Sequence, residues 1–232
     1  VLGLIDTDSS NEEIYLSKKL FEKAFDSNEL FFHKPDWEQI VSDFPIYNLL
    51  NSDKKSNRSG ASLLDIKGLN SISDLDDKFE NDLKVLITVG KPFQDGDFMS
   101  KVSSIPLIIN ISPEKSIWSE LSDICLPGRL HSEKNASYTN KDGRVQLARK
   151  AIRAKHKTKP DWMIICGLME ALGIENSMSS VEDVFNEMTN NEDSFKGLNW
   201  DSLGLYGVNV EKMITDQGRV EVTEFSKTAL KV

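Results

Sequence analysis

Apolar positions along this chain fall into two spacings, and the switch between them outlines an α/β protein. Val1 to Ile5 is a short continuous apolar run, as in a buried strand. Ser10-Asn-Glu-Glu13 follows as a capping box, with the Ser10 hydroxyl placed to accept the Glu13 amide and the Glu13 carboxylate placed to reach back. Ile14, Leu20, Phe21, Ala24 and Phe25 then recur at helical spacing, which predicts an amphipathic helix over 11–26 ended by Asp26-Ser27-Asn28. Three further apolar, β-branched runs, 83–89, 105–111 and 124–126, predict strands buried on both faces and therefore a mainly parallel sheet. Pro106 sits at the start of its strand, where a missing amide is tolerated. Asp161 is placed to cap a helix from Trp162 to Leu172 with a stripe of Ile164, Ile165, Leu168, Met169 and Leu172, and Gly173 suits its C′ position. Ser180-Val-Glu-Asp183 opens another helix through Phe185 and Met188.

The stretch from 29 to 82 is less regular. Trp37, Ile40, Val41 and Phe44 predict a short helix stopped by Pro45. Residues 51–60 are polar and turn-rich and read as an exposed loop, Leu63 and Leu64 as a local contact, and 74–80 as another short helix. Beyond 190 the periodicity weakens, although 220–225 alternates like a strand. The expected organisation is an α/β domain over 1–189, a mainly parallel sheet flanked by helices, with a weakly structured extension over 190–232.

Composition narrows the class. The 232 residues are 39% hydrophobic and 28% charged, with a net charge of −9, which suits a packed globular chain and disfavours a dedicated nucleic-acid binder. No apolar run is long enough to span a bilayer. The two cysteines, Cys125 and Cys166, lack partners at metal-binding spacing and read as buried thiols of a reducing compartment. Beginning at Val1, the chain is expected to be a processed form or a piece of a longer protein. Its first ten residues do not resemble a signal or transit peptide.

Candidate chemistry concentrates where the strand Ile124-Cys-Leu126 runs into Pro127-Gly128 and then a loop carrying Glu133, Asn140, Gly143, Arg144 and Gln146. Strand-to-loop junctions of this kind hold anionic cofactors in many α/β domains. The other usual signals are missing. There is no G-x-G-x-x-G or P-loop, and Gly90-Lys91 reads as a turn at a strand end. His33, His131 and His156 lack the pairing that catalysis or metal binding needs. Glu133 and Arg144 are expected to brace the loop as a pair, with forked anion binding by Arg144 as the alternative. From Arg144 to Lys159 the chain is basic without an acid. Lacking interleaved aromatics, this stretch reads as a face for an acidic partner or as a solvated loop, not as a nucleic-acid site.

Taken together, Ser122-Asp-Ile-Cys-Leu-Pro-Gly128, Ser132-Glu-Lys-Asn-Ala-Ser-Tyr-Thr-Asn140, Asp142-Gly-Arg-Val-Gln146, Lys159-Pro-Asp-Trp162 and Ala171-Leu-Gly173 resemble the C-terminal part of the molybdopterin-oxidoreductase superfamily. The wording is most similar to the largest iron–sulfur subunit of respiratory complex I, NADH:quinone oxidoreductase. The resemblance is specific over 122–173 and weaker over the rest of 1–189. It implies a non-catalytic structural part of the peripheral arm, with other peripheral-arm subunits as partners. It further implies a mitochondrial inner-membrane, matrix-side location, or the cytoplasmic face of a bacterial inner membrane. Two lone cysteines cannot hold that subunit's iron–sulfur clusters, so no cofactor is expected in this chain and the clusters are expected in neighbouring chains or regions. The segment 28–51 is too short for the family's intervening strand–helix units. Glu133, Asn140, Gly143, Arg144 and Gln146 are then vestiges of a pterin-holding loop, kept for its shape. The alternatives are a molybdopterin-dependent oxidoreductase piece that completes its site with another chain, and an independent protein-binding module.

Overall fold

The computed structural model describes residues 1–34, 55–80, 83–93, 98–154, 156–214 and 220–224. The helix expected around Trp37 to Phe44 lies outside them. Six parallel strands, β1 (Leu2–Ile5), β2 (Leu30–His33), β3 (Lys67–Leu69), β4 (Val85–Val89), β5 (Leu107–Ser112) and β6 (Ile124–Pro127), form one sheet in the order β3-β2-β1-β4-β5-β6. The three runs read as buried strands are β4, β5 and β6; β4 and β5 are buried, but β6 is largely exposed because it is the edge strand. β2 and β3 lie in the stretch that reads as irregular, because four- and three-residue strands carry too little periodicity to stand out. Pro106 immediately precedes β5, as its missing amide requires.

Strand alternation divides the core. Leu2, Leu4, Leu86 and Ile108 point to one face with Trp118, Val102 and Phe93, contributed by α4 (Phe98–Val102), α5 (Ile117–Leu121) and the chain after β4. Ile5, Ile87, Val89 and Ile111 point to the other. There they meet α1 (Asn11–Phe25), α6 (Asp161–Ala171) and α7 (Val181–Asn191). With both of their faces covered, β4 and β5 read as continuous apolar runs.

The capping box opens α1 as expected: the Glu13 amide donates to Ser10 Oγ at 3.3 Å and the Ser10 amide to Glu13 Oε2 at 3.0 Å. Asp26 ends the helix in the left-handed conformation. Ser180 and Asp183 form the same box on α7. In α6 the expected roles shift. Pro160 is the N-cap and Asp161 the first helical residue, which releases its carboxylate for tertiary contacts. Ile165 and Met169 are buried as expected, but Leu172 is 52% exposed because the helix ends at its base.

The polar stretch before Leu63 is also more structured than it reads. Arg58–Leu63 is a helix, α2, and Asn57 and Gly60 are buried with Leu63 and Leu64. The short helical segment around 74–80 is present as a 3-10 turn, Ile72–Leu75, continuing into α3 (Asp76–Glu80).

A second sheet covers the stretch that reads as a cofactor loop. β7 (Ala136–Thr139) and β8 (Arg144–Ala148) form an antiparallel hairpin, extended by β9 (Val208–Ile214) and β10 (Val220–Glu224) in the order β10-β9-β8-β7. Phe195, Leu198, Leu203 and Val210 join the same apolar cluster as α1 and α7, so part of the region after 190 packs into the main body. Among the described residues no helix is long and apolar enough to cross a membrane.

Candidate functional site

β1 and β4 are neighbours, yet β1 leads outward to β2 and β4 outward to β5. Their following loops therefore diverge, and a crevice opens at the carboxyl end of the sheet, where ligands bind in open α/β folds. A cleft of about 520 Å³ lies there, with Asp6 and Asp8 after β1, Lys91 after β4, Glu114 after β5 and Arg129 after β6 among its lining residues.

Its floor is a buried charge cluster. Lys134, just before β7, pairs with Glu13 of α1 and, at 2.8 Å, with Asp161 of α6. The side chains of all three are at most 7% exposed. Burial alone would lower the Lys134 ammonium, but the Glu13 and Asp161 carboxylates hold it above the ordinary lysine range. Burial raises the Glu13 carboxyl, with Lys134 opposing and Asp161 reinforcing the shift. Burial, helped by Glu13, also pushes the Tyr138 phenol up. Two carboxylates thus share one ammonium. Asp161 also accepts the Arg129 amide at 3.3 Å, and its approach explains the glycine that follows β6. A Cβ on Gly128 would stand 2.0 Å from Asp161 Oδ1.

Beside this cluster the first turn of α1 is driven against β7. The Ser137 amide donates to both oxygens of Glu12, at 3.1 Å each, and Asn11 Nδ2 donates to Ser137 Oγ at 3.0 Å. The Thr139 amide donates to Asn57 Oδ1 at 2.7 Å, and Asn57 Nδ2 donates to the Ser9 carbonyl at 2.8 Å. Desolvation raises the Glu12 carboxyl to about 7, although the Ser137 contacts lower it in part.

The residues singled out in the loop sit elsewhere. Glu133 Oε2 accepts the Leu130 amide at 3.2 Å, closing a 3-10 turn at the base of the hairpin. Asn140 Oδ1 accepts the amides of Asp142 and Arg144, both at 2.9 Å, and Gly143 takes φ +74° in the turn at the far end. Arg144 Nη1 donates to the Tyr206 carbonyl at 3.2 Å. Gln146 is exposed on β8, in register with Tyr138. The expected Glu133–Arg144 brace is therefore split: strand β7 separates the two, a length of roughly 13 Å at the usual rise per residue. None of the five lines the cleft among the described residues, whereas their neighbours His131, Lys134 and Tyr138 do.

Sequence reasoning missed Glu12, Glu13, Lys134 and Asp161 as a group. No local signal marks the group, since Glu12 stands between Asn11 and Glu13 and Lys134 between Glu133 and Asn135, and their proximity depends on tertiary packing. Cys166 is buried as expected, whereas Cys125 is exposed, because it lies on an edge strand. Among the described residues no three His, Cys, Asp or Glu side chains are grouped to hold a metal ion.

Residues 47–171 match the family described as molybdopterin oxidoreductase. The α subunit of an F420-dependent formate dehydrogenase from Methanocaldococcus jannaschii is 31% identical over 121 residues, covering 45% of this chain and 18% of the relative. The NADH-ubiquinone oxidoreductase 75 kDa subunit of Reclinomonas americana is 38% identical over 66 residues, covering 28% and 10%. The catalytic subunit of an assimilatory nitrate reductase from Bacillus subtilis is 38% identical over 72 residues, covering 30% and 10%. The chain thus spans less than a fifth of the length of these relatives.

Proposed function

Because the chain belongs to the molybdopterin oxidoreductase family, we propose that it is a non-catalytic structural part of the peripheral, NADH-oxidising arm of a respiratory complex I. One observation carries this reading: the crevice at the switch point is already filled with the protein's own charge. The residues there do not fit a phosphate-bearing pterin. An anion at this position would be held by free amides at the start of the helix after β1 and by unpaired cations. Here Glu12 and Glu13 occupy that helix start, and the capping box takes the Ser10 and Glu13 amides. Lys134 is committed to two carboxylates, Lys91 to Glu114 at 2.6 Å, and Lys55 to Asp6 and Asp8 at 2.7 Å. A phosphate entering the cleft would meet Asp6, Asp8, Glu13 and Asp161. Arg129, whose Nε donates to the Thr158 carbonyl, is the lining cation without an ion pair among the described residues, so repulsion outweighs attraction.

The partial identity with a 75 kDa subunit named for NADH-ubiquinone oxidoreductase supports the choice of complex. In this role the domain contributes a rigid body against which cluster-bearing chains pack, on the matrix side of the inner membrane or the cytoplasmic face of a bacterial one. Native mass spectrometry of the assembly isolated through this chain tests membership, with peripheral-arm subunits in fixed stoichiometry as the expected result. The formate dehydrogenase and nitrate reductase relatives favour a second reading, a molybdopterin-dependent piece that completes its site with another chain. Stoichiometric molybdenum in the purified assembly, with pterin fluorescence after acid oxidation, would establish that reading and sink the first.

A further inference from the structure

Seven of the chain's 28 Lys and Arg residues, and none of its 37 Asp and Glu, lie between Arg144 and Lys159. Elsewhere on this acidic protein several lysines sit on carboxylates, as Lys18 does on Glu192 at 2.8 Å and Lys19 on Glu187 at 2.5 Å. Arg149, Lys150, Arg153, Lys157 and Lys159 are exposed and form no ion pair among the described residues. Like charges adjacent in sequence repel one another, and among the described residues no ion pair relieves these five.

The segment is held in place despite this. The Lys150 amide donates to Asn135 Oδ1 at 2.9 Å, and the Ala151 and Ile152 amides donate to the Ser132 carbonyl at 2.9 and 3.0 Å. Near its other end Arg129 Nε donates to the Thr158 carbonyl at 2.9 Å. The backbone is thereby tied to the turn before β7 and to Arg129, two residues past β6, and the basic side chains are left to solvent. Among them Ile152 is 48% exposed, an apolar residue with Lys150 and Arg153 on either side.

We propose that residues 149–154 and 156–159 form a docking strap for an acidic patch on another protein, with Ile152 entering an apolar socket at its centre. Charge extent selects this partner over other polyanions. Nucleic acid and anionic bilayers carry negative charge over distances far beyond the Debye length of about 8 Å. They would meet the acidic body of this chain as well as the strap. A folded protein can confine its acidic residues to an area matching the strap. Such complementarity sets encounter rate and orientation, and the apolar contact holds the complex. The inference rests on the strap alone and holds whichever assembly the chain joins.

The test uses the full chain and a labelled peptide of Asp and Glu residues around a central Leu pair. Single-stranded DNA of equal charge and phosphatidylserine–phosphatidylcholine vesicles serve as competing probes. Peptide affinity is expected to fall about tenfold on combining Arg149→Glu, Lys150→Glu and Arg153→Glu, and about threefold for Ile152→Ser. Alanine at the three basic positions should give an intermediate loss with an unchanged unfolding midpoint. Lys141→Glu, outside the strap, should leave affinity unchanged. Tighter binding of DNA or vesicles than of peptide would overturn the proposal, as would strap variants that bind the peptide like the parent protein.

Discussion

Lys134 and Asp161 meet at 2.8 Å beneath the switch-point cleft, in a position where neither side chain is more than 7% exposed. They are 27 residues apart in the chain and, with Glu13, tie the turn before β7 to the first turns of α1 and α6. Replacing Lys134 by Met would leave Glu13 and Asp161 as uncompensated buried carboxylates. The expected loss is about 3–5 kcal/mol, read from the urea midpoint at neutral pH. Adding Glu13→Gln to Lys134→Met should recover part of it. A midpoint unmoved by Lys134→Met would show that the cluster contributes nothing net.

Glu12 makes stability depend on pH. Burial raises its carboxyl from 4.5 to about 7. A carboxyl held above its unfolded value binds its proton more tightly in the folded chain. That contribution is full below about pH 4.5 and is lost as pH rises through about 7. Integrated over this window it amounts to about 3 kcal/mol at most. Glu12→Gln, which still offers an oxygen to the Ser137 amide, should exceed the parent in stability at pH 8, and the difference should shrink towards pH 4.5. A difference constant across that range would remove Glu12 as the titrating group.

Asn57 joins two segments through a single amide, accepting from Thr139 and donating to Ser9. Asn57→Ala would orphan a buried N–H and a buried carbonyl. A loss of about 2–3 kcal/mol is expected, with hydrogen exchange at Thr139 accelerated before that of the parallel sheet.

Gly143→Ala tests the attachment of β9 to the hairpin. The new Cβ would stand 2.5 Å from the Val210 carbonyl, at a φ of +74° that L side chains rarely adopt. A cost of about 1–3 kcal/mol is expected, along with loss of protection at Val210, whose amide donates to the Gly143 carbonyl at 2.8 Å.

The two thiols should react in separate phases. Cys125 is exposed, whereas Cys166 is 5% exposed and its thiol is raised by burial. One equivalent of a thiol reagent should react with the folded chain and a second only on unfolding. Two fast equivalents would contradict the placement of Cys166 in the core.

The parallel sheet was legible because β4 and β5 are covered on both faces and so read as apolar runs, whereas β6, apolar but largely exposed, closes the sheet's edge. The α1 and α7 starts were legible because a capping box is complete within four residues. The hairpin was not legible. In β7 Ser137 and Thr139 are 0% exposed, so polar residues point inward and the hydrophobic alternation that marks a strand is lost. They are satisfied by Asn11, Glu12 and Asn57, which only the fold brings near. Asp161 was placed correctly at a helix start, but its carboxylate faces Lys134 and the Arg129 amide instead of capping.

By itself the amino-acid sequence determined the α/β class, the family resemblance over 122–173 and the excess of base at 144–159, since these depend on local pattern and composition. Tertiary structure alone decided that Glu133 and Arg144 stand at opposite ends of a hairpin. It also decided that Lys134, Glu13 and Asp161 share one buried site. The physical reason is that burial and charge pairing are properties of elements packed together. The elements meeting at the switch point come from positions separated by more than a hundred residues, such as Glu13 and Lys134, 121 apart.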